Sequence, residues 1–190
     1  MTLNCKRYLD NIVWELTLRC NANCIHCGSA AGQDRKDNLT DSEIYRICYE
    51  LADMQCRKVT LLGGELFLHH SWRNIVKRLS ELKIEVAIIT NGILLNEDNI
   101  AFLKENNISV LGISIDGPNA QIHDNIRRVP KLFDKIMNLS DIITKYNIPT
   151  VAISTITNIN IDYLPDFFNK LSFKSKLSIP AISASVKDVG

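Results

Sequence analysis

The sequence predicts an α/β fold in which parallel strands, each followed by a helix, curl into a barrel or part of one. Three observations carry this. Strand-like and helix-like segments alternate along the whole chain, the order expected of βα units building a parallel sheet. The strand segments are near-continuous apolar runs, which implies parallel strands buried on both faces by helices. Polar or glycine-rich signals follow the strands at 20–27, 63–65, 90–92, 114–117 and 155–158. The helix-to-strand junctions, "MQCRK", "LKIE", "NNIS" and "YNIP", are plainer. In α/β folds the C-terminal strand ends carry the binding loops. An open doubly wound sheet is the alternative arrangement of the same elements.

"NIVWELTL" (11–18) is the first strand, rich in β-favouring residues and running straight into Cys20. After the polar loop "GSAAGQDRKDN", Thr40 and Glu43 form a capping box, with Leu39 and Ile44 placed as a hydrophobic staple. Ile44, Ile47, Cys48 and Leu51 continue that helix at core-facing spacing, so Cys48 reads as a small buried apolar residue. "KVTLLGG" (58–64) is a strand stopped by two glycines, and Ser71 caps a helix through Leu82. "IEVAIITNG" (84–92) is the third strand, and Asn96, flanked by Leu95 and Ile100 as a staple, starts the next helix. "ISVLGISIDG" (108–117) is the fourth strand, and a helix from Lys131 to Tyr146 leads to "IPTVAISTITN" (148–158), the fifth. Asn160 caps a helix ending near Leu171, and "LSIPAISAS" (177–185) is the sixth strand.

The 190 residues fit one domain, with no repeat, low-complexity segment or linker. A net charge of +1, without a long run of either sign, gives no electrostatic case for a nucleic-acid or membrane-surface partner. No apolar run approaches the ~20 residues of a spanning helix, and "MTLNCKRYLDN" lacks the pattern of a signal peptide. The expected location is the cytoplasm, where thiols stay reduced. Six cysteines there point to metal or redox chemistry, and all lie at or before Cys56.

Three of them fall in "CNANCIHC" (20–27). A structural zinc site takes four ligands, normally as two paired halves, and the second half is missing. Cys5, Cys48 and Cys56 stand singly, and His26 adjoins Cys27 too closely for both to serve one ion readily. A [4Fe–4S] cluster suits closely spaced cysteines better. With three thiolates, one iron keeps an open position for a substrate or cofactor. The plain alternative is unligated thiols, which on an exposed loop would oxidise readily.

"CNANCIHC" matches the CxxxCxxC signature of the radical S-adenosylmethionine (radical SAM) enzymes, and "LLGGELFL", "ITNG" and "GISIDGPNAQIHDNIR" resemble further motifs of that family, in order and at strand ends. The resemblance implies a partial (βα)6 TIM-like barrel of parallel strands. It implies that Cys20, Cys24 and Cys27 ligate a [4Fe–4S] cluster whose fourth iron binds the amino and carboxylate groups of SAM. It places His26 near adenine, and Gly63, Gly64 and Glu65 at the SAM amino group. Thr90 and Asn91 match the third-strand signal, Ser114 and Asp116 face ribose, and Arg127 meets the SAM carboxylate. Two positions depart from the family pattern: Leu66 stands for a proline, and Arg128 for a glycine. His69 and His70 receive no role, and no side chain beyond the cofactor site is assigned to catalysis.

Within the family the resemblance is to members with a C-terminal SPASM domain, many of which modify peptides. That domain carries further clusters on cysteine-rich sequence. With no cysteine after Cys56, residues 1–190 are expected to form the core domain alone. The implied activity is reductive cleavage of SAM to a 5′-deoxyadenosyl radical for hydrogen abstraction. A flavodoxin- or ferredoxin-like electron donor and a possible peptide substrate follow from the same resemblance. Two other readings stand beside it: a non-catalytic SAM and iron–sulfur binding module, and a zinc or thiol structural protein.

Overall fold

The structure, a computed structural model, describes residues 9–167 and 182–187, the last segment as backbone. Six strands form one sheet: β1 (Asn11–Glu15), β2 (Lys58–Leu62), β3 (Glu85–Thr90), β4 (Val110–Ser114), β5 (Thr150–Thr157) and β6 (Ile182–Lys187). They lie side by side in chain order, and every adjacent pair is parallel. A doubly wound sheet reverses its order at a switch point, so sequential order excludes that alternative. With β1 and β6 at opposite edges, the sheet is a partial barrel.

Five helices that lie wholly within the described residues pack on it: α1 (Asp41–Asp53), α2 (Trp72–Glu81), α3 (Glu97–Glu105), α4 (Ala120–Arg127) and α5 (Leu132–Tyr146). Val59, Leu61, Ile88, Leu111 and Ile113 point toward them and join Ile44, Cys48, Ile75, Leu79, Ile100 and Ile136 in one core. Each such fully buried aliphatic side chain contributes about 1.5–3 kcal/mol relative to exposure. The other face differs. Thr60, Leu62, Ile89 and Ile153 are only half-buried, and Val13 is 63% exposed. The expectation of helices on both faces is therefore not met: the helices cover the outer face, and the concave face stays open.

Local signals placed most elements. Both halves of the capping box form, Thr40 N donating to Glu43 Oε2 at 2.8 Å and Glu43 N to Thr40 Oγ1 at 3.4 Å. Leu95 and Ile100 are buried as a staple should be, whereas Leu39 is 42% exposed and staples little. Ser71 holds the N-cap position of α2, yet its hydroxyl donates to Asp41 Oδ1 at 2.7 Å and ties α2 to α1 instead. Helix α4 was not anticipated. Asn119 caps it by accepting from Ile122 N at 3.0 Å, and of its eight residues only Ala120, Ile122 and Ile126 are apolar. Cys48 and Cys56 are buried packing residues, as the spacing predicted for Cys48. Cys5, the far end of the helix expected from Asn160 to Leu171, and residues 177–181 of the expected sixth strand lie outside the described residues. Among the described residues no helix is long and apolar enough to cross a membrane.

Candidate functional site

β1 hands the chain to the cysteine loop, whose path is fixed by backbone bonds. The loop returns beside its own entry: Gly32 N donates to Leu18 O at 2.8 Å, and Cys20 N to Gly32 O at 3.2 Å. Ile25 N donates to Ile126 O at 2.9 Å and pins the loop to α4. Beneath it pass Gly63 and Gly64, with Gly64 N bonded to Thr17 O at 2.7 Å and Glu65 N to Arg19 O at 2.8 Å. A Cβ on Gly63 would sit 2.7 Å from Thr17 O, and one on Gly64 2.5 Å from Arg19 O. Two backbones touch here, which only glycine permits. The family resemblance places these glycines at the SAM amino group; in the fold they also make this crossing possible.

Above the crossing opens a cavity of about 300 Å³. The three cysteines, His26, Gly63, Gly64, Thr90, Asn91, Ser114 and Arg127 line it, together with Leu62, Ile89, Ile153 and Thr155. The structure thus brings together every expected site residue except two, Glu65 and Asp116, which lie behind the lining.

Glu65 is 1% exposed. Its Oε1 accepts from Thr90 Oγ1 at 2.8 Å and Phe67 N at 3.2 Å, and its Oε2 accepts from Asn91 N at 2.8 Å. Burial holds its pKa above the usual carboxylate value despite these donors. Both oxygens thereby help to fix the end of β3 and the start of the segment after Glu65. Asp116, also 1% exposed, is likewise engaged with neighbouring protein groups. Its Oδ1 accepts from Thr155 N at 2.9 Å, and its Oδ2 meets His26 Nε2 at 2.9 Å and Arg127 Nε at 2.5 Å. Burial alone would raise its pKa, but the Arg127 guanidinium and the His26 hydrogen bond bring it down to about 2. Burial in turn works against the charge on Arg127, yet Asp116 and Cys24 hold its pKa above the ordinary arginine value.

Three residues outside the expected set support the site. Asn160 donates through Nδ2 to Asp116 O at 3.0 Å and Thr155 O at 2.9 Å, so it braces the site rather than capping a helix. His123 Nδ1 accepts from Asp116 N at 3.0 Å. Asn21 Oδ1 accepts from Asn91 Nδ2 at 2.9 Å. The only signal for Asn160 was a polar residue just past a strand end. His69 packs at the start of α2 with its Nδ1 accepting from Ser71 N at 3.2 Å, and its ring stacks on His70.

The donor set suits an iron–sulfur cluster. Three thiols open on one cavity, and among the described residues no group of three or more His, Cys, Asp or Glu is placed around a single metal ion. A polynuclear cluster takes each thiolate on a different iron and needs no such convergence. Burial raises the Cys20 and Cys24 thiols, Arg127 opposing it at Cys24; coordination to a metal deprotonates a thiol outright.

A parallel, open βα barrel with three cysteines after its first strand defines a class of protein, and comparison with known sequences agrees. The model of the radical SAM superfamily matches residues 14–171, and the chain belongs to that family, whose members use a [4Fe–4S] cluster and SAM. It is 30% identical over 158 residues to the AdoMet-dependent heme synthase of Methanosarcina barkeri, covering 83% of this chain and 45% of that one. It is 29% identical over 157 residues to the mycofactocin maturase MftC of Mycolicibacterium smegmatis, covering 82% and 40%. The fold matches Streptococcus suis SuiB bound to S-adenosylmethionine with a TM-score of 0.82 at 17% identity, covering 97% of this chain and 42% of that one. The chain therefore spans less than half the length of these relatives.

Proposed function

We propose that this chain is a single radical SAM core domain in which Cys20, Cys24 and Cys27 hold a [4Fe–4S] cluster and SAM occupies the cavity beside them. The observation that carries it is the opening of all three thiols on the cavity that the other motif residues line. When bound, cluster and SAM supply one-electron reductive cleavage to methionine and a 5′-deoxyadenosyl radical that abstracts hydrogen.

The chain's own residues bind and shield. Gly63 and Gly64 present bare backbone to the cavity and Ser114 a hydroxyl-bearing side chain, while Thr90 lines it with its hydroxyl held by Glu65. Arg127 keeps its positive charge and suits a carboxylate. His26 is held by Asp116 with its ring against the cavity, where an adenine can pack. Glu65 and Asp116 act from behind, as holders of β3 and of the His26–Arg127 pair. Leu62, Ile89 and Ile153 make the sheet side of the cavity apolar and exclude water.

The proposal extends to a low-potential flavodoxin- or ferredoxin-like donor, a cytoplasmic setting and a peptide substrate. The peptide rests on likeness to maturases, among them the sporulation killing factor maturation protein SkfB of Bacillus subtilis. Anaerobic reconstitution with iron and sulfide, followed by dithionite and SAM, tests the core of it. Bound iron and sulfide and release of 5′-deoxyadenosine are expected. SAM binding without cleavage indicates a binding module, and one zinc with no sulfide a structural site. Cys24→Ala is expected to abolish both cluster and cleavage while leaving the circular dichroism spectrum intact.

A further inference from the structure

Each thiol of the cysteine loop meets at least one N–H donor, Cys20 that of the Ala22 backbone as well, and the donors come from three parts of the fold. Asn91 Nδ2, at the end of β3, lies 3.8 Å from Cys20 Sγ. Arg127 Nη1, from α4, lies 3.7 Å from Cys24 Sγ. Ala31 N, from the loop itself, lies 3.3 Å from Cys27 Sγ.

The two side-chain donors are aimed by other bonds. Asn91 Oδ1 accepts from Ile93 N at 2.9 Å, so the amide cannot flip without losing that bond, and its NH2 must face the loop. Arg127 is fixed through Nε by Asp116, which Thr155 N and His26 hold in turn. Neither contact is needed to bury the loop, which its backbone bonds already secure.

We propose that Asn91 and Arg127 are positioning residues that raise the reduction potential of the cluster held by Cys20, Cys24 and Cys27. This rests on the radical SAM reading above. One electron from a low-potential one-electron donor reduces [4Fe–4S]²⁺ to [4Fe–4S]⁺; with three thiolates the net charge goes from −1 to −2. An N–H dipole or a guanidinium beside a thiolate favours the more negative state, and hydrogen bonds to sulfur are a recognised lever on such potentials. Arg127 brings a full charge and Asn91 a dipole, so the two act on different thiolates by different means.

Redox titration of the loaded protein, followed by electron paramagnetic resonance without SAM, tests this in wild type, Asn91→Ser, Asn91→Asp and Arg127→Lys. Iron and sulfide content and thermal melting are measured alongside. The expected midpoint order is wild type above Asn91→Ser above Asn91→Asp. Arg127→Lys also falls below wild type, because a lysine drawn to Asp116 no longer donates to Cys24. At fixed potential the reduced-to-oxidised ratio should drop by up to about tenfold per lost donor, equivalent to about 59 mV for one electron. Equal midpoints at full cluster content overturn the inference and leave the radical SAM reading standing. A cluster missing from every variant but present in wild type assigns these residues to retention, not tuning, and also overturns it. A wild type that binds no iron and sulfide overturns the reading itself.

Discussion

Arg128 ends α4 with φ 54 and ψ 38, a left-handed conformation that costs a side-chain-bearing residue about 1–2 kcal/mol. It is exposed, so nothing packs around the side chain to offset that cost. Arg128→Gly is expected to raise stability by about 1 kcal/mol, read as a rise of roughly 2–4 °C in the melting temperature. This position was half legible: the sequence displayed an arginine where the resembling family carries glycine, and the backbone angle supplies the reason. Glu65 and Asp116 were less legible. A motif gives a residue type at a strand end, but not whether its side chain turns into the cavity or back between the strands. Both turn back, because three backbone amides and a buried arginine wait there.

At the scale of elements, the crossing of Gly63–Gly64 under the exit of β1 is the tightest joint in the site. Gly64→Ala would drive a Cβ to 2.5 Å and 2.6 Å from the carbonyl oxygens of Arg19 and Leu18, which are backbone and cannot swing aside. The expected cost is about 3 kcal/mol, seen as a lowered melting temperature and weakened iron loading. Such joints are invisible in a sequence, where a double glycine reads as an ordinary strand-to-helix turn. Caps are the opposite case. Thr40 with Glu43, and Asn96 accepting from Asn99 N at 2.8 Å, act within one turn and were fully readable. Helix α4 was missed because its purpose is tertiary: it carries His123 and Arg127 to Asp116.

For the molecule as a whole, burial of charge sets a pH window. His123 is wholly buried, and burial, reinforced by Arg127 and opposed by Asp116 and Asp124, lowers its pKa from 6.5 to about 4. The unfolded chain takes up a proton near pH 6.5 that the folded chain refuses until about pH 4. The contribution of His123 is therefore complete above pH 6.5 and falls on acidification to about pH 4, by about 3 kcal/mol, while Glu65, whose pKa burial raises, works in the opposite direction. Denaturant midpoints measured between pH 7.5 and 4.5 should show this slope, and His123→Asn, which keeps an acceptor for Asp116 N, should flatten it. That the strands are parallel and joined by helices was readable from alternation, but their order in the sheet and their environment were not. Apolar runs look the same whether the second face meets helices or, as at Leu62, Ile89 and Ile153, lines a cavity.

The anchoring of the cysteine loop also sets the order in which the protein can become functional. Cys24 and Arg127 stand 103 positions apart, and His26 and Asp116 stand 90 apart. Contacts of such separation need most of the chain in place before they can close. During synthesis, then, the thiols emerge early but their pocket is finished late, after β4 and α4 have docked. Iron loaded into the complete pocket certifies a folded barrel, while the nascent loop offers only three loose thiols.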